Sequence, residues 1–114
     1  MSHLSILPTV LRDSTLLVAA LEDLGLKPLP AGELRGFADD RQPVCLRVQL
    51  PEGQWLGWRR QADGSLALVG DLQRLGRSRS LQQLIGRITR RYAVRQALRT
   101  ASQELRGADV VLAG

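Results

Sequence analysis

The stretch from Val44 to Asp71 limits the fold of this chain more than any other part of it. Three apolar-rich runs, "VCLRVQL", "QWLGWRRQ" and "SLALVGD", are separated by the turn segments "PEGQ" and "ADGS". Asp-Gly between alternating runs is a strong short-range signal for a β-hairpin. The spacing predicts a three-stranded antiparallel meander over 44–50, 54–61 and 65–71. With two-residue turns at Glu52-Gly53 and Asp63-Gly64, the pleat assigns every side chain to a face. Val44, Leu46, Val48, Leu50, Trp55, Leu66 and Leu68 fall on the core face. Cys45, Arg47, Gln49, Leu56, Trp58, Arg60, Ala67 and Val69 fall on the other. Trp55 is then an interior residue, and Trp58 opposes Arg47 on an outer face where apolar and basic side chains mix. Tryptophan and arginine together are the residues that dominate binding hot spots. Arg47, Trp58 and Arg60 are therefore the candidate partner-binding residues. The competing reading is a Trp58 screened by arginine stems on a solvated face.

The flanking segments supply helices and terminal strands. "HLSILPTVL" is apolar and β-branched enough for a first strand, which Pro8 confines to an edge or bend. "RDSTLLVAALEDLG" reads as a helix over about 14–24, capped by Asp13 or Ser14 and closed by Gly25. Its buried stripe is Leu17, Ala20, Leu21 and Leu24. Residues 26–43 contain three prolines and two glycines and read as loop with room for a short irregular strand. Residues 72–80 read as a linker. A long helix follows over about 80–105, with Ser80 and Gln83 forming a capping box and Gly107 as its stop. "ADVVLAG" reads as a final short strand. The expectation is one α+β domain over 1–114, an antiparallel sheet covered on one face by two helices.

The long helix has an unusual pattern. At about 100° per residue, Leu84, Ile85, Ile88 and Tyr92 gather near the direction of Leu81. Ala93, Val94, Ala97, Leu98, Ala101 and Leu105 gather on a nearly opposite side. A straight helix cannot bury both sets against one sheet. Either it kinks near Tyr92, or its C-terminal half packs against the terminal strand or a partner subunit, so that a homo-oligomer is one outcome.

Hydrophobic residues make up 44% of the chain, enough for a core. The lone Cys45 excludes an intrachain disulfide and a cysteine-built metal site. No apolar run approaches the roughly 20 residues that span a bilayer, and "MSHLSILPTV" lacks the features of a signal peptide. A cytoplasmic protein without membrane insertion is expected. The net charge of +5 is uneven, with 3 basic and 6 acidic groups in residues 1–40 but 9 and 3 in residues 71–114. Arg74, Arg77, Arg79, Arg87, Arg90 and Arg91 form a candidate anion-binding surface, and nucleic acid is the alternative partner. Arg-richness without Asn also reflects base composition, and no phosphate loop, aromatic RNA-binding motif or helix-turn-helix accompanies it.

Catalytic signals are weak. His3 is the only histidine and lies near a terminus, and no G-x-S-x-G elbow occurs. Asp39 and Asp40 are adjacent in a loop and lack further ligands for a metal. Asp71 follows a strand, a position for a cap. No enzyme activity, no metal and no cofactor are expected.

Several stretches occur together in one order: "MSHLS", "ALEDLG", "LGW", "DGSLALVGD" and "RYA". In that order and spacing the chain resembles the family called hypothetical chloroplast reading frame thirty-five, uncharacterised proteins of cyanobacteria and algal plastids. Gly57-Trp58 matches the family's Gly-aromatic pair, and Leu68-Val69-Gly70-Asp71 its apolar-apolar-small-Asp ending. The chain departs from many relatives in having Leu or Arg where they carry an aromatic after that Asp. The resemblance implies a small α+β protein of a photosynthetic bacterium, serving assembly or maintenance of a larger protein complex, and it transfers no catalytic residue.

Overall fold

The structure, a computed structural model, describes residues 4–36 and 40–113. Its elements are β1 (Ser5–Pro8), α1 (Ser14–Asp23), β2 (Leu29–Arg35), β3 (Arg41–Gln49), β4 (Trp55–Arg60), β5 (Leu66–Gly70), α2 (Leu72–Arg77) and α3 (Arg79–Ala113). The strands form one antiparallel sheet in the order β1-β5-β4-β3-β2. The class is α+β, as the sequence indicates, and the meander is present.

The turns are longer by one residue than the two-residue form. Leu50 N–H donates to Gln54 O (2.7 Å) and Gln61 N–H to Ser65 O (2.8 Å), so three residues separate each pair of strands. Within them Gly53 N–H bonds Leu50 O and Gly64 N–H bonds Gln61 O. Gly53 (φ 96°) and Gly64 (φ 87°) take the left-handed conformation that ends a three-residue hairpin loop. Each extra residue shifts the pairing by one, and both shifts fall on β4. Trp58 therefore pairs with Leu46 and Leu68, not with Arg47 and Val69. The core-face assignments of Leu46, Val48, Leu50, Leu66 and Leu68 hold, whereas those of Trp55, Leu56 and Trp58 are reversed.

The core lies between this face and the helices. Leu46, Val48, Leu50, Leu56, Trp58, Leu66 and Leu68 meet Leu16, Leu17, Ala20 and Leu21 of α1 and Leu81, Ile88 and Tyr92 of α3. Asp13 caps α1, its carboxylate accepting from the N–H groups of Thr15 (2.8 Å) and Leu16 (3.2 Å). The Tyr92 hydroxyl accepts from the N–H groups of Arg12 (3.2 Å) and Asp13 (3.0 Å), which fastens the start of α1 to α3. A cap of this kind contributes about 0.5–2 kcal/mol.

The outer face is half covered. Leu34, Val44 and Val69 form a second small core with Leu4 against it. A Cβ built on Gly57 would stand 2.7 Å from Val44 Cγ1 and 2.9 Å from Leu34 Cδ1. The far end of the β2–β3 hairpin thus folds across β4, and a glycine at 57 makes room for it. At the same end Leu4 N–H donates to the Asp40 carboxylate (2.8 Å), joining the hairpin to the segment before β1. Val44 is consequently an outer-face residue while Leu46 is in the main core, so the alternation of β3 is broken at Cys45. Residues 29–35, expected as loop with a short irregular strand, form a full edge strand.

Two further differences lie in the C-terminal region. Residues 72–77 are helical, with Arg74 N–H bonded to the Asp71 carboxylate (3.2 Å). The start of α3 is capped by Ser78, whose Oγ accepts from Leu81 N–H (3.2 Å), not by Ser80. The helix runs through Gly107 to Ala113, where a stop and a terminal strand were expected. At 1.5 Å per residue its 35 residues extend over about 52 Å. The radius of gyration is 16.6 Å, against about 13 Å for a compact domain near this length, and the longest dimension is 63 Å. The end of α3 therefore projects beyond the sheet.

Candidate interaction surface

The reversed register exchanges the roles of the two tryptophans. Trp58 is 2% exposed and belongs to the core, so it is not available to a partner. Trp55 is 38% exposed on the face that the helices leave open. Arg47, expected to lie across from Trp58, instead stacks on Trp55 with its guanidinium carbon 5.2 Å from the ring centroid. Such a contact contributes about 0.5–1 kcal/mol at an exposed site. The composition read from the sequence, an indole with an arginine on an open sheet face, is thus present with the other indole.

The local backbone explains this geometry. Arg47 crosses to Gly32 of the neighbouring edge strand, where a Cβ would come within 2.9 Å of its Nε. Gly32 has φ 152° and follows Ala31 at φ 37°. Together they lower the backbone under the guanidinium. The Arg47 Nε is buried there and has no hydrogen-bond partner among the described residues. A covered donor without an acceptor costs about 1–3 kcal/mol, so the stacked arrangement is held against a penalty.

Grooves flank Trp55 on two sides. One, of about 450 Å³, is lined by Gly32, Glu33, Leu34, Arg35, Arg47 and Trp55. The other, of about 420 Å³, is lined by Gly25, Leu26, Lys27, Leu29, Gln49, Pro51 and Trp55. Leu29 adds a second exposed apolar side chain at 40%. The site therefore has an apolar centre with charged groups around it, the basic Lys27, Arg35 and Arg47 and the acidic Glu33. Strand addition along β2 is disfavoured, because Pro30 lacks an N–H and Ala31-Gly32 distort the edge. Recognition here has to proceed through side chains.

The other predicted residues are not gathered at this place. Arg60 is exposed but stands at the opposite end of β4, where its guanidinium bonds Arg12 O (3.3 Å) and Gly64 O (3.2 Å). It closes the β4–β5 hairpin onto the segment before α1 and lies about 17 Å along the strand from Trp55. Arg74, Arg77 and Arg79 are exposed on α2 and the start of α3, and Arg87 and Arg90 on the outward side of α3. Arg91 is engaged: its Nε and that of Arg95 both lie 2.7 Å from Asp23 Oδ2, and Arg95 Nη2 lies 2.5 Å from Oδ1. Arg99 pairs with Asp13 at 2.7 Å. Hydrogen bonds from Arg95 and Arg91 hold the Asp23 carboxyl far below the usual carboxylate range. The bond from Arg99, with those from Leu16 and Thr15, lowers Asp13 against the opposing effect of burial. The acidic α1 and the basic α3 are thus partly neutralised by each other, which reduces the positive field available to an anion.

No three His, Cys, Asp or Glu side chains gather into a metal-binding group among the described residues. His3 and Asp39 lie outside the described residues. Cys45 is exposed, and its thiol donates to Trp58 O at 3.2 Å. No described helix is long and apolar enough to cross a membrane.

Two-residue turns assign Trp55 to the interior, because the register depends on turn length. The signal that finds it is the position of the glycines. In "PEG" and "ADG" glycine is the third residue, the left-handed position of a three-residue loop. Reading both turns in that way brings Trp55 out and Trp58 in.

Fold and surface define a one-sheet α+β protein whose helices cover one face and whose other face carries an arginine-stacked tryptophan between two grooves. A family model described as "Protein of unknown function (DUF1257)" matches residues 20–111, and the chain belongs to that family. No curated protein and no solved structure matches the chain.

Proposed function

We propose that the protein is a small non-enzymatic interaction or assembly factor that docks on a larger protein complex through the Trp55–Arg47 surface. The observation that carries this reading is Trp55 itself, 38% exposed, with a guanidinium on its ring and a groove on either side. A large rigid ring with a polar rim is the usual composition of an energetic anchor at a protein interface. The unsatisfied Arg47 Nε adds a donor whose penalty a partner's carboxylate or carbonyl oxygen relieves once the side chain lifts from Gly32. The resemblance to the chloroplast reading frame family favours a photosynthetic bacterium as the source and a photosynthetic or related assembly as the complex.

The test is affinity capture from the native lysate with the tagged wild-type chain and a Trp55→Ala, Arg47→Ala double variant. Specific proteins retained by the wild type and lost from the variant are expected, because an anchor of this kind contributes 2 kcal/mol or more, about thirtyfold in affinity. An unchanged set of captured proteins rejects the surface. Binding of nucleic acid by the helical arginines is the second reading: of its six candidates Arg91 is held by Asp23, while Arg74, Arg77, Arg79, Arg87 and Arg90 are exposed.

A further inference from the structure

The C-terminal half of α3 carries an apolar stripe that the fold leaves bare. Measured from Tyr92 at about 100° per residue, the core-facing residues Leu81, Ile85 and Ile88 lie within about 40°. Val94, Leu98, Ala101 and Leu105 lie between about 180° and 240°, on the side turned away from the sheet and from α1. Val94 is 43% exposed, Leu98 57% and Leu105 65%, and Ala101 is exposed as well. Their spacing of four, three and four residues is that of the seam positions in a coiled coil. Among the described residues, Arg99 is the last on the helix to form an ion pair with Asp23 or Asp13. A helical stretch as short as the part beyond Arg99 is marginal in water when isolated.

We propose that this stripe is the contact between two copies of the chain, paired antiparallel about a two-fold axis midway between Leu98 and Ala101. The stripe is self-complementary in that arrangement and in few others. Val94 meets Leu105 of the second copy, and Leu98 meets Ala101 of the second copy, so every large residue of the inner layers faces a small one. The flanking positions set Arg95 opposite Ser102 and Ala97 opposite Glu104 of the second copy, so like charges do not face each other. A parallel pair in register leaves Ala101 against Ala101, an underfilled layer, beside Leu98 against Leu98. The antiparallel contact is isologous and closes at two chains. Four layers make a small interface, at the weak end of specific association.

Sedimentation equilibrium on the full chain across the micromolar range tests it. A concentration-dependent dimer is expected, abolished by Leu98→Glu with an unchanged circular dichroism spectrum. A wild-type chain that stays monomeric throughout, or a Leu98→Glu variant that dimerises as the wild type does, overturns the pairing. In the first case the stripe belongs to a different protein. Orientation is read independently by oxidation in a Cys45→Ser background. Val94→Cys with Leu105→Cys should cross-link into covalent dimers, whereas Val94→Cys alone should not, since eleven residues of helix, about 16 Å, separate the two single sites. Equal cross-linking by the single variant overturns the antiparallel order.

Discussion

Replacing each tryptophan in turn by alanine gives the most direct measure of the register. Trp58 is 2% exposed and packed among Leu46, Leu68 and the helices. Its removal forfeits the transfer free energy of the indole and leaves a cavity that the sheet and helices close only in part, a loss of about 3–5 kcal/mol. Trp55 is 38% exposed. Truncating it sacrifices roughly 60% of a burial worth about 1.5–3 kcal/mol and a cation–π contact of about 0.5–1 kcal/mol, together about 2 kcal/mol. It leaves a notch in an open groove that water fills, so the cavity term is absent. The gap of about 2 kcal/mol between the variants is about thirtyfold in the unfolding constant. It is a large fraction of the 5–15 kcal/mol that holds a domain together. Urea unfolding followed by far-ultraviolet circular dichroism measures it, provided the slopes agree between variants. Trp58→Ala should shift the midpoint about twice as far as Trp55→Ala. Equal shifts, or a larger one for Trp55→Ala, would refute the three-residue turns and with them the exposed Trp55 surface.

Two other perturbations read other parts of the fold. Gly57→Ala places a methyl 2.7 Å from Val44 Cγ1 and 2.9 Å from Leu34 Cδ1; the overpacking should cost about 1–3 kcal/mol, seen as a lowered urea midpoint, and no loss would show that the β2–β3 hairpin does not fold across β4. The Asp23 carboxyl titrates below its ordinary value of 3.8 because of Arg95 and Arg91. A depressed folded-state pKa contributes stability that is fully present above the unfolded value and lost as pH falls through the folded one. The thermal midpoint should therefore decline on acidification from about pH 5, more steeply in the wild type than in Asp23→Asn, and parallel declines would show that the α1–α3 ion pairs carry no net stability.

Much of the fold is legible in the sequence because it rests on local signals of high contrast. Alternation marks β3, a short apolar run after Asp63-Gly64 marks β5, Asp13 marks the start of α1, and Leu81, Ile88 and Tyr92 mark the buried side of α3. The faces of β3 and β5 are recovered over most of their length for the same reason. Position β4 differs. Its run "WLGWRR" has large apolar residues at Trp55, Leu56 and Trp58, so the pattern alone does not choose a face, and register falls to the turns. Two turns misjudged by one residue each leave β3 and β5 correct and invert the strand between them. The site inherits that inversion: Arg47 is found from β3, and its aromatic partner is misassigned because it comes from β4. Residues 26–43 were illegible for another reason. Pro30, Ala31 and Gly32 contradict strand propensity, and residues 29–35 form a strand because six of them pair with β3. The stretch "ADVVLAG" reads as a short strand after a stop at Gly107, yet the helix runs through Gly107 to Ala113.

The two proposed contacts occupy opposite sides of the molecule, and this makes them separable. The Trp55 groove opens on the sheet face away from the helices, while the Val94–Leu105 stripe faces away from the sheet on α3. Pairing through α3 therefore leaves both copies of Trp55 uncovered and directed outward. In the proposed pair, two grooves on one particle would engage a repeated or multi-subunit target with an avidity that can exceed the single-site affinity by about 10²–10⁴ when the spacing allows both to engage. A groove with one exposed indole and one stacked guanidinium is a modest anchor alone, and doubling it is a physical reason for a small protein to retain a helix that projects past its own core. Trp55→Ala then removes capture without altering the dimer, and Leu98→Glu removes the dimer while leaving each groove intact. An effect of Trp55→Ala on sedimentation would contradict the separation, because no contact proposed for α3 reaches β4.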